Sequence, residues 1–217
     1  MVNAENYKKI IDELGDKITL VAVSKTRSAK EIKILYDLGQ RDFGENYVQE
    51  LVEKQPQLST DIRWHYIGHL QSNKVKNIAS FVHLIHGVDS LKLLKEINKQ
   101  AAKNSRVIDC LLQVHIAQEE TKFGLDEQEL IQIITDTRES ELENIRVKGL
   151  MGMASFTDDI NKVRNEFKQL KKLFDQLTTH YSLLTTLSMG MSSDYKIAIE
   201  EGSNMVRIGS LLFGERL

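Results

Sequence analysis

The chain contains one proline, Pro56, and one cysteine, Cys110, among 217 residues. A single cysteine excludes an intrachain disulfide, and its place in the mostly apolar run 107–114 reads as a small core residue rather than a nucleophile. With proline so scarce and no stretch rich in Gly, Ser or Pro, nothing marks a linker or a domain boundary. No apolar run approaches the roughly 18 residues of a membrane-crossing helix. The first 16 residues mix Glu5, Lys8, Lys9, Asp12 and Glu13 with Ile10, Ile11 and Leu14. That pattern predicts an amphipathic helix rather than a signal peptide, so the cytoplasm is the expected location. An excess of one charge is also missing. Lys and Arg number 29 against 31 Asp and Glu, a formal net charge of −2, which argues against a protein that grips nucleic acid by displacing counterions. What is present is a 41% hydrophobic complement, enough for a true core and too much for a disordered chain.

One unit recurs along the sequence: a short β-branched or apolar run, a turn, then an amphipathic helix. The runs cover 18–24, 42–44, 62–68, 82–88, 107–116, 147–151, 185–189 and 205–208. Ser28 with Glu31 reads as a capping box, and Asn46 with Gln49 and Asp126 with Glu129 are looser versions of it. Gly39 and Gly202 fall where a left-handed residue would stop a helix. The clearest helix spans about 159–178, where Val163, Phe167, Leu170, Phe174 and Leu177 form one apolar stripe. Strands alternating with helices imply a parallel sheet under helical cover. Eight units point to a (β/α)8 TIM barrel, for which about 200 residues is near the lower limit. The rival, a doubly wound open sheet, usually has a Gly-rich turn after its first strand. Here Ser24-Lys25-Thr26-Arg27 follows, with no glycine.

Leu20-Val21-Ala22-Val23-Ser24-Lys25 puts a lysine directly after an apolar run. In a barrel, the C-terminal ends of the strands form the active-site face. Burial there disfavours an ammonium, and a neutral amine is what Schiff-base chemistry needs. The plain alternative is a lysine that snorkels to solvent. Two small-residue turns bear on the choice, one running from Ser188 through Gly190, Met191 and Ser192 to Asp194, the other Arg207-Ile208-Gly209-Ser210. Glycine lets backbone amides approach an anion, and the loops after strands 7 and 8 are where barrels commonly bind phosphate. Arg207 adds a planar fork of donors. A Schiff-base lysine facing a phosphate cradle fits pyridoxal 5′-phosphate (PLP) chemistry or a lysine aldolase acting on a sugar phosphate, and spacing does not separate the two.

Six blocks then carry a resemblance over nearly the whole chain. They are Ala22-Val23-Ser24-Lys25-Thr26, Phe43-Gly44-Glu45-Asn46-Tyr47-Val48-Gln49-Glu50, the stretch from Trp64 through His65, Gly68 and His69 to Lys74, Lys148-Gly149-Leu150-Met151, Leu187-Ser188-Met189-Gly190-Met191-Ser192, and Val206-Arg207-Ile208-Gly209-Ser210. In this order they resemble the pyridoxal-phosphate homeostasis protein family. The resemblance implies a fold-type III PLP barrel similar to the N-terminal domain of alanine racemase. Residues 1–217 would form one domain with an extra N-terminal helix and no C-terminal β-domain. Lys25 would hold PLP as a Schiff base. The turns at Met191 and Ser192 and at Arg207, Gly209 and Ser210 would hold the phosphate and nearby ring edge. Asn46 would lie near the ring, its other reading being a helix cap. Members of the family are thought to buffer and deliver PLP in vitamin B6 homeostasis, with apo PLP enzymes as recipients. Two departures are small: His69 stands where proline is frequent, and Ser210 where threonine is.

Two enzymatic readings stay open beside the carrier, a PLP-dependent racemase or decarboxylase and the lysine aldolase. The related racemases add a C-terminal β-domain that supplies a catalytic residue to the partner subunit. Here Leu217 follows Ser210 by seven residues, so the expectation is a carrier and a monomer. Racemisation needs an acid or base on each face of Cα, and only Lys25 is a candidate, leaving at most a weak racemase-like side activity. A metal is not expected. His65 and His69 would lie about 13 Å apart on a strand, and His83 and His86 would point to opposite faces if both lie in a strand. Lys74 and Lys76 form a small basic patch, either a solvated helix face or a second anion site. Lys122 after the fifth strand is a candidate secondary attachment point for PLP.

Overall fold

The recurring unit builds a closed barrel of eight parallel strands in sequence order. The computed structural model describes residues 2–117, 123–139, 142–179 and 181–214. The strands are β1 (Thr19–Val23), β2 (Asp42–Glu45), β3 (Arg63–Tyr66), β4 (Leu84–Val88), β5 (Ile108–Gln113), β6 (Ile145–Met151), β7 (Thr186–Ser188) and β8 (Met205–Ile208). All eight overlap the expected runs, with β2 ending one residue after its run and β6 beginning two residues before its own. The expectation overran at β5, where Val114 and Ile116 are buried beyond the end of the strand. Apolar residues mark burial, and a loop can bury them without extending the strand.

The helices are α1 (Ala4–Leu14), α2 (Ala29–Asp37), α3 (Val48–Lys54), α4 (Leu91–Lys103), α5 (Glu127–Glu139), α6 (Ile160–Thr178), α7 (Tyr195–Glu200) and α8 (Ser210–Phe213). The third unit has only a 3-10 helix, Ser72–Asn77, where an α-helix would stand. The capping box at Ser28 and Glu31 forms in both directions. Asp126 and Glu129 likewise exchange backbone-to-carboxylate bonds of 3.0 and 2.8 Å. Gly39 and Gly202 take φ of 107° and 96°, the left-handed region expected at a helix end. In α6, Val163, Phe167, Leu170 and Leu177 are buried, with Phe174 packed at the margin.

Two apolar layers hold the barrel. The larger lies between strands and helices, centred on residues such as Phe43, Ile85, Cys110, Phe167 and Val206. The smaller fills the interior with Val21, Leu84, Leu111, Met151 and Met205. Outside the barrel, α1 packs against α8: Asn3 N–H donates to the Leu212 carbonyl at 2.8 Å and Asn6 Nδ2 to the Leu211 carbonyl at 3.0 Å. Among the described residues, no helix is long and apolar enough to cross a membrane.

Candidate functional site

Side chains alternate between the two faces of a strand, and that period decides what β1 delivers to each level of the barrel. Thr19 lines a small cavity at the end where the strands begin. Val21 sits in the inner apolar layer. Val23 and Lys25 line a cavity of about 630 Å³ at the other end, the barrel mouth. The same alternation runs from Met205 below to Arg207 and Gly209 above, and from Asp42 below to Asn46 above. Met191, Ser192 and Ser210 complete the set, so all seven residues singled out in the sequence share this one cavity.

Lys25 is half-buried and braced on both flanks. Before it, the buried Ser24 donates its amide to the Gly44 carbonyl at 2.9 Å and its hydroxyl to Glu45 Oε1 at 2.7 Å. After it, Arg27 N–H returns to the Ser24 carbonyl at 3.0 Å, closing a tight turn. Within that turn Thr26 takes φ 64°, a left-handed conformation that strains a β-branched residue. Glu50 Oε2 accepts the Thr26 N–H at 2.7 Å. Lys54 Nζ then ties the assembly together. It donates to the Ser24 carbonyl at 2.9 Å, to Glu45 Oε1 at 2.8 Å and to Glu50 Oε2 at 2.6 Å. Burial pushes the Glu45 carboxyl above its usual range despite Lys54 and Ser24. For Glu50, burial is outweighed by Lys54 and the Thr26 N–H, which hold it below that range. Sequence reasoning missed this clamp because Glu50 and Lys54, four apart on a helix, look like a solvated surface pair.

The two turns meet across the mouth. Gly190 has φ 97°, and a Cβ there would lie 2.6 Å from that of Ala198. Asp194 Oδ1 accepts the Met191 N–H at 2.6 Å. Ser192 Oγ accepts the Gly209 N–H at 3.1 Å, stitching the turn after β7 to the turn after β8. Among the described residues, the N–H groups of Ser192, Ser193, Ser210 and Leu211 meet no protein acceptor. All four residues line the cavity, and such convergent amides suit an anion.

Arg207 is more deeply committed than its position in a turn suggested. Its buried guanidinium donates through Nη1 to the Ser188 carbonyl at 2.9 Å and hydroxyl at 2.7 Å, and through Nη2 to the Gly152 carbonyl at 3.0 Å. Burial lowers its pKa to about 10, against the opposing charge of Asp194. Of the two readings of Asn46, the helix cap is not made: Tyr47 holds the N-cap position of α3, without a side-chain cap. Asn46 Oδ1 is buried without a hydrogen-bond partner in the wall of the cavity. It is an acceptor awaiting a donor.

The other residues flagged in the sequence scatter. Lys74 is half-buried and Lys76 exposed on the 3-10 helix, while Lys122 lies outside the described residues. His69 Nδ1 is 3.2 Å from Asp89, and its ring stacks on Phe123 with centroids 4.4 Å apart. The condition for His83 and His86 to point to opposite faces is not met, because His83 precedes β4. Both rings approach His65, at 5.5 and 5.2 Å between centroids.

Comparison with known proteins adds to this geometry. The family model described as the alanine racemase N-terminal domain matches residues 3–217. The pyridoxal phosphate homeostasis protein of Aquifex aeolicus is 44% identical over 199 residues, covering 91% of this chain and 86% of the relative. The protein of the same name from Helicobacter pylori is 40% identical over 225 residues, covering 97% and 99%. The structure of PipY from Synechococcus elongatus with PLP bound superposes with a TM-score of 0.89 at 34% identity, covering 97% of this chain and 99% of PipY. An alanine racemase from Clostridium difficile shares the fold at a TM-score of 0.77 and 17% identity, with 58% of its length covered.

Proposed function

The chain belongs to the alanine racemase N-terminal-domain family and, within it, to the pyridoxal phosphate homeostasis proteins, and from that membership we propose that it binds PLP at the barrel mouth and buffers or delivers it. The observation that carries this reading is the meeting of Lys25, the unpartnered Asn46 Oδ1 and four unsatisfied amides in one cavity. A cavity of about 630 Å³ suits a small cofactor. Lys25 Nζ is the amine that bonds the cofactor, with loss of water. The turn amides of Ser192, Ser193, Ser210 and Leu211 hold the phosphate, Asn46 accepts a donor near the ring, and Arg207 supports the floor beneath. PLP supplies the aldehyde carbon and the electron sink.

Carriage rather than turnover is the activity we assign. The relatives that this chain matches over most of their length are named for homeostasis of the cofactor and not for a reaction on it. We read residues 1–217 as one functional unit acting in the cytoplasm as a monomer, with apo PLP enzymes as recipients. The test is transfer. Protein loaded with PLP is mixed with an excess of an apo PLP enzyme under a PLP scavenger, and reactivation is compared with that from free PLP. Reactivation protected from the scavenger is expected, together with loss of borohydride-fixable PLP in Lys25→Ala. Failure of the wild type to fix PLP, or steady turnover of amino acids at enzymatic rates, overturns the proposal.

A further inference from the structure

A file of polar side chains crosses the barrel interior beneath the mouth. At the end where the strands begin, Arg63 Nε and Nη2 donate to the two oxygens of Asp42 at 2.7 and 2.5 Å. Asp42 Oδ1 lies 2.9 Å from His65 Nε2, and His65 Nδ1 lies 2.9 Å from His86 Nε2. His86 Nδ1 is 3.3 Å from Ser188 Oγ, which Arg207 Nη1 meets at 2.7 Å. Asp42, His65, His86, Ser188 and Arg207 are all buried. The file begins in a lower cavity of about 240 Å³ that Asp42, Arg63 and His65 line, and it ends on the guanidinium in the floor of the mouth.

The two ends dictate the order of every proton between them. A guanidinium only donates, so Ser188 Oγ accepts from Arg207, and with an acceptor-only Asp42 at the other end and one proton on each ring, the serine's own proton turns to His86 Nδ1. His86 is therefore protonated on Nε2 and donates to His65 Nδ1. His65 in turn carries its proton on Nε2 and donates to Asp42. Burial would raise Asp42, but the hydrogen bonds and charges of His65 and Arg63 hold its carboxyl down at about 2, so it remains an acceptor. Burial, then His65, Arg207 and His83, push His86 well below the usual imidazole range, so it stays neutral with a single proton to place.

One added proton leaves one alternative order. Were that proton placed between the two rings, His65 Nε2–H would still donate to Asp42 and His65 Nδ1–H would be directed at His86 Nε2. His86 moves its single proton to Nδ1 and donates to Ser188 Oγ, which now accepts from both His86 and Arg207 and turns its hydroxyl proton elsewhere. Other charged and titratable groups around the file are His83 beside β4, Asp109 of β5 and Lys148 of β6, which line the same lower cavity, with Asp61 acting on Arg63 and Asp194 on Arg207. His83 is lowered by its own burial and by His65.

We propose that His65 and His86 are positioning residues for the mouth, relaying the protonation state of the opposite barrel face through Ser188 to Arg207 and so to bound PLP. The inference rests on the reading of the mouth as the PLP site. Nitrogen-15 NMR of the histidine rings in the ligand-free protein tests it without any variant. Both His65 and His86 should show the Nε2-protonated tautomer near neutral pH, and His86 should switch to Nδ1 as the proton is gained. An Nδ1-protonated tautomer on either ring near neutral pH overturns the relay. The second measurement is the pH titration of visible absorption in PLP-loaded wild type and Asp42→Asn. Removing the anion should move the midpoint to lower pH, by on the order of one unit. An unchanged midpoint with PLP still bound refutes the relay alone, whereas a wild type that takes up no PLP refutes the reading of the mouth.

Discussion

Replacing Lys54 by methionine keeps most of the buried stem and removes the ammonium that braces the Lys25 turn. Glu45 is then left fully buried with Ser24 Oγ as its remaining donor, its second oxygen already lacking any partner. A stranded carboxylate escapes by taking a proton. Starting from the ordinary value of 4.5, protonation at pH 7 costs about 3.4 kcal/mol, which caps the pH-dependent part of the damage. The same step at pH 5 costs about 0.7 kcal/mol. A carboxyl raised in the folded state removes stability above its unfolded value, and the loss deepens as pH rises. The deficit of Lys54→Met relative to wild type should therefore shrink by about 2–3 kcal/mol between pH 7 and pH 5. Urea unfolding of the ligand-free protein, followed by fluorescence of the buried Trp64, measures it at each pH. Adding Glu45→Gln to the variant should remove most of the pH dependence. A deficit that is the same at both pH values, or below about 1 kcal/mol at pH 7, would refute the description of Glu45 and Lys54 as a buried pair.

Two other predictions concern the frame. A Cβ on Gly149 would stand 1.7 Å from the Thr186 carbonyl oxygen, where β6 pairs with β7, so Gly149→Ala should lose cooperative unfolding or most of its soluble yield, and a wild-type-like melting curve would contradict that contact. Burial pushes the Cys110 thiol far above its usual range, so it should react with a thiol reagent only at the rate of global unfolding, measured against urea; rapid labelling of the native protein would show the site to be open.

The fold was legible because each strand announces itself within a few residues. The apolar run ending at Ser24 put Lys25 at the C-terminal end of a strand, and the small residues at Gly190 and Gly209 marked both turns. What stayed hidden depends on partners distant in sequence. Glu45 and Lys54 look ordinary until the turn at Ser24 folds onto them, and the commitment of Arg207 to Ser188 and Gly152 needs three strands at once. The contact between His65 and His86 depends on how β3 and β4 pair, which no local pattern reveals. Asn46 misled because its spacing from Gln49 fits a helix start, while the structure hands the cap position to its neighbour.

The mouth has a consequence for the order in which the protein becomes competent during synthesis. Its amine comes from the end of the first strand, its amides from the turns after the last two, and the two sides are joined only when β8 pairs with β1, Arg207 in register with Val21. That seam is the most distant strand pairing in the chain, and contacts of such separation close slowly. A nascent chain still tethered before β8 emerges therefore has the lysine and not the cradle. On the proposed reading of the mouth, binding competence would arrive in a single late event, with barrel closure itself, and a growing chain would not withdraw ligand from its surroundings before the fold was complete.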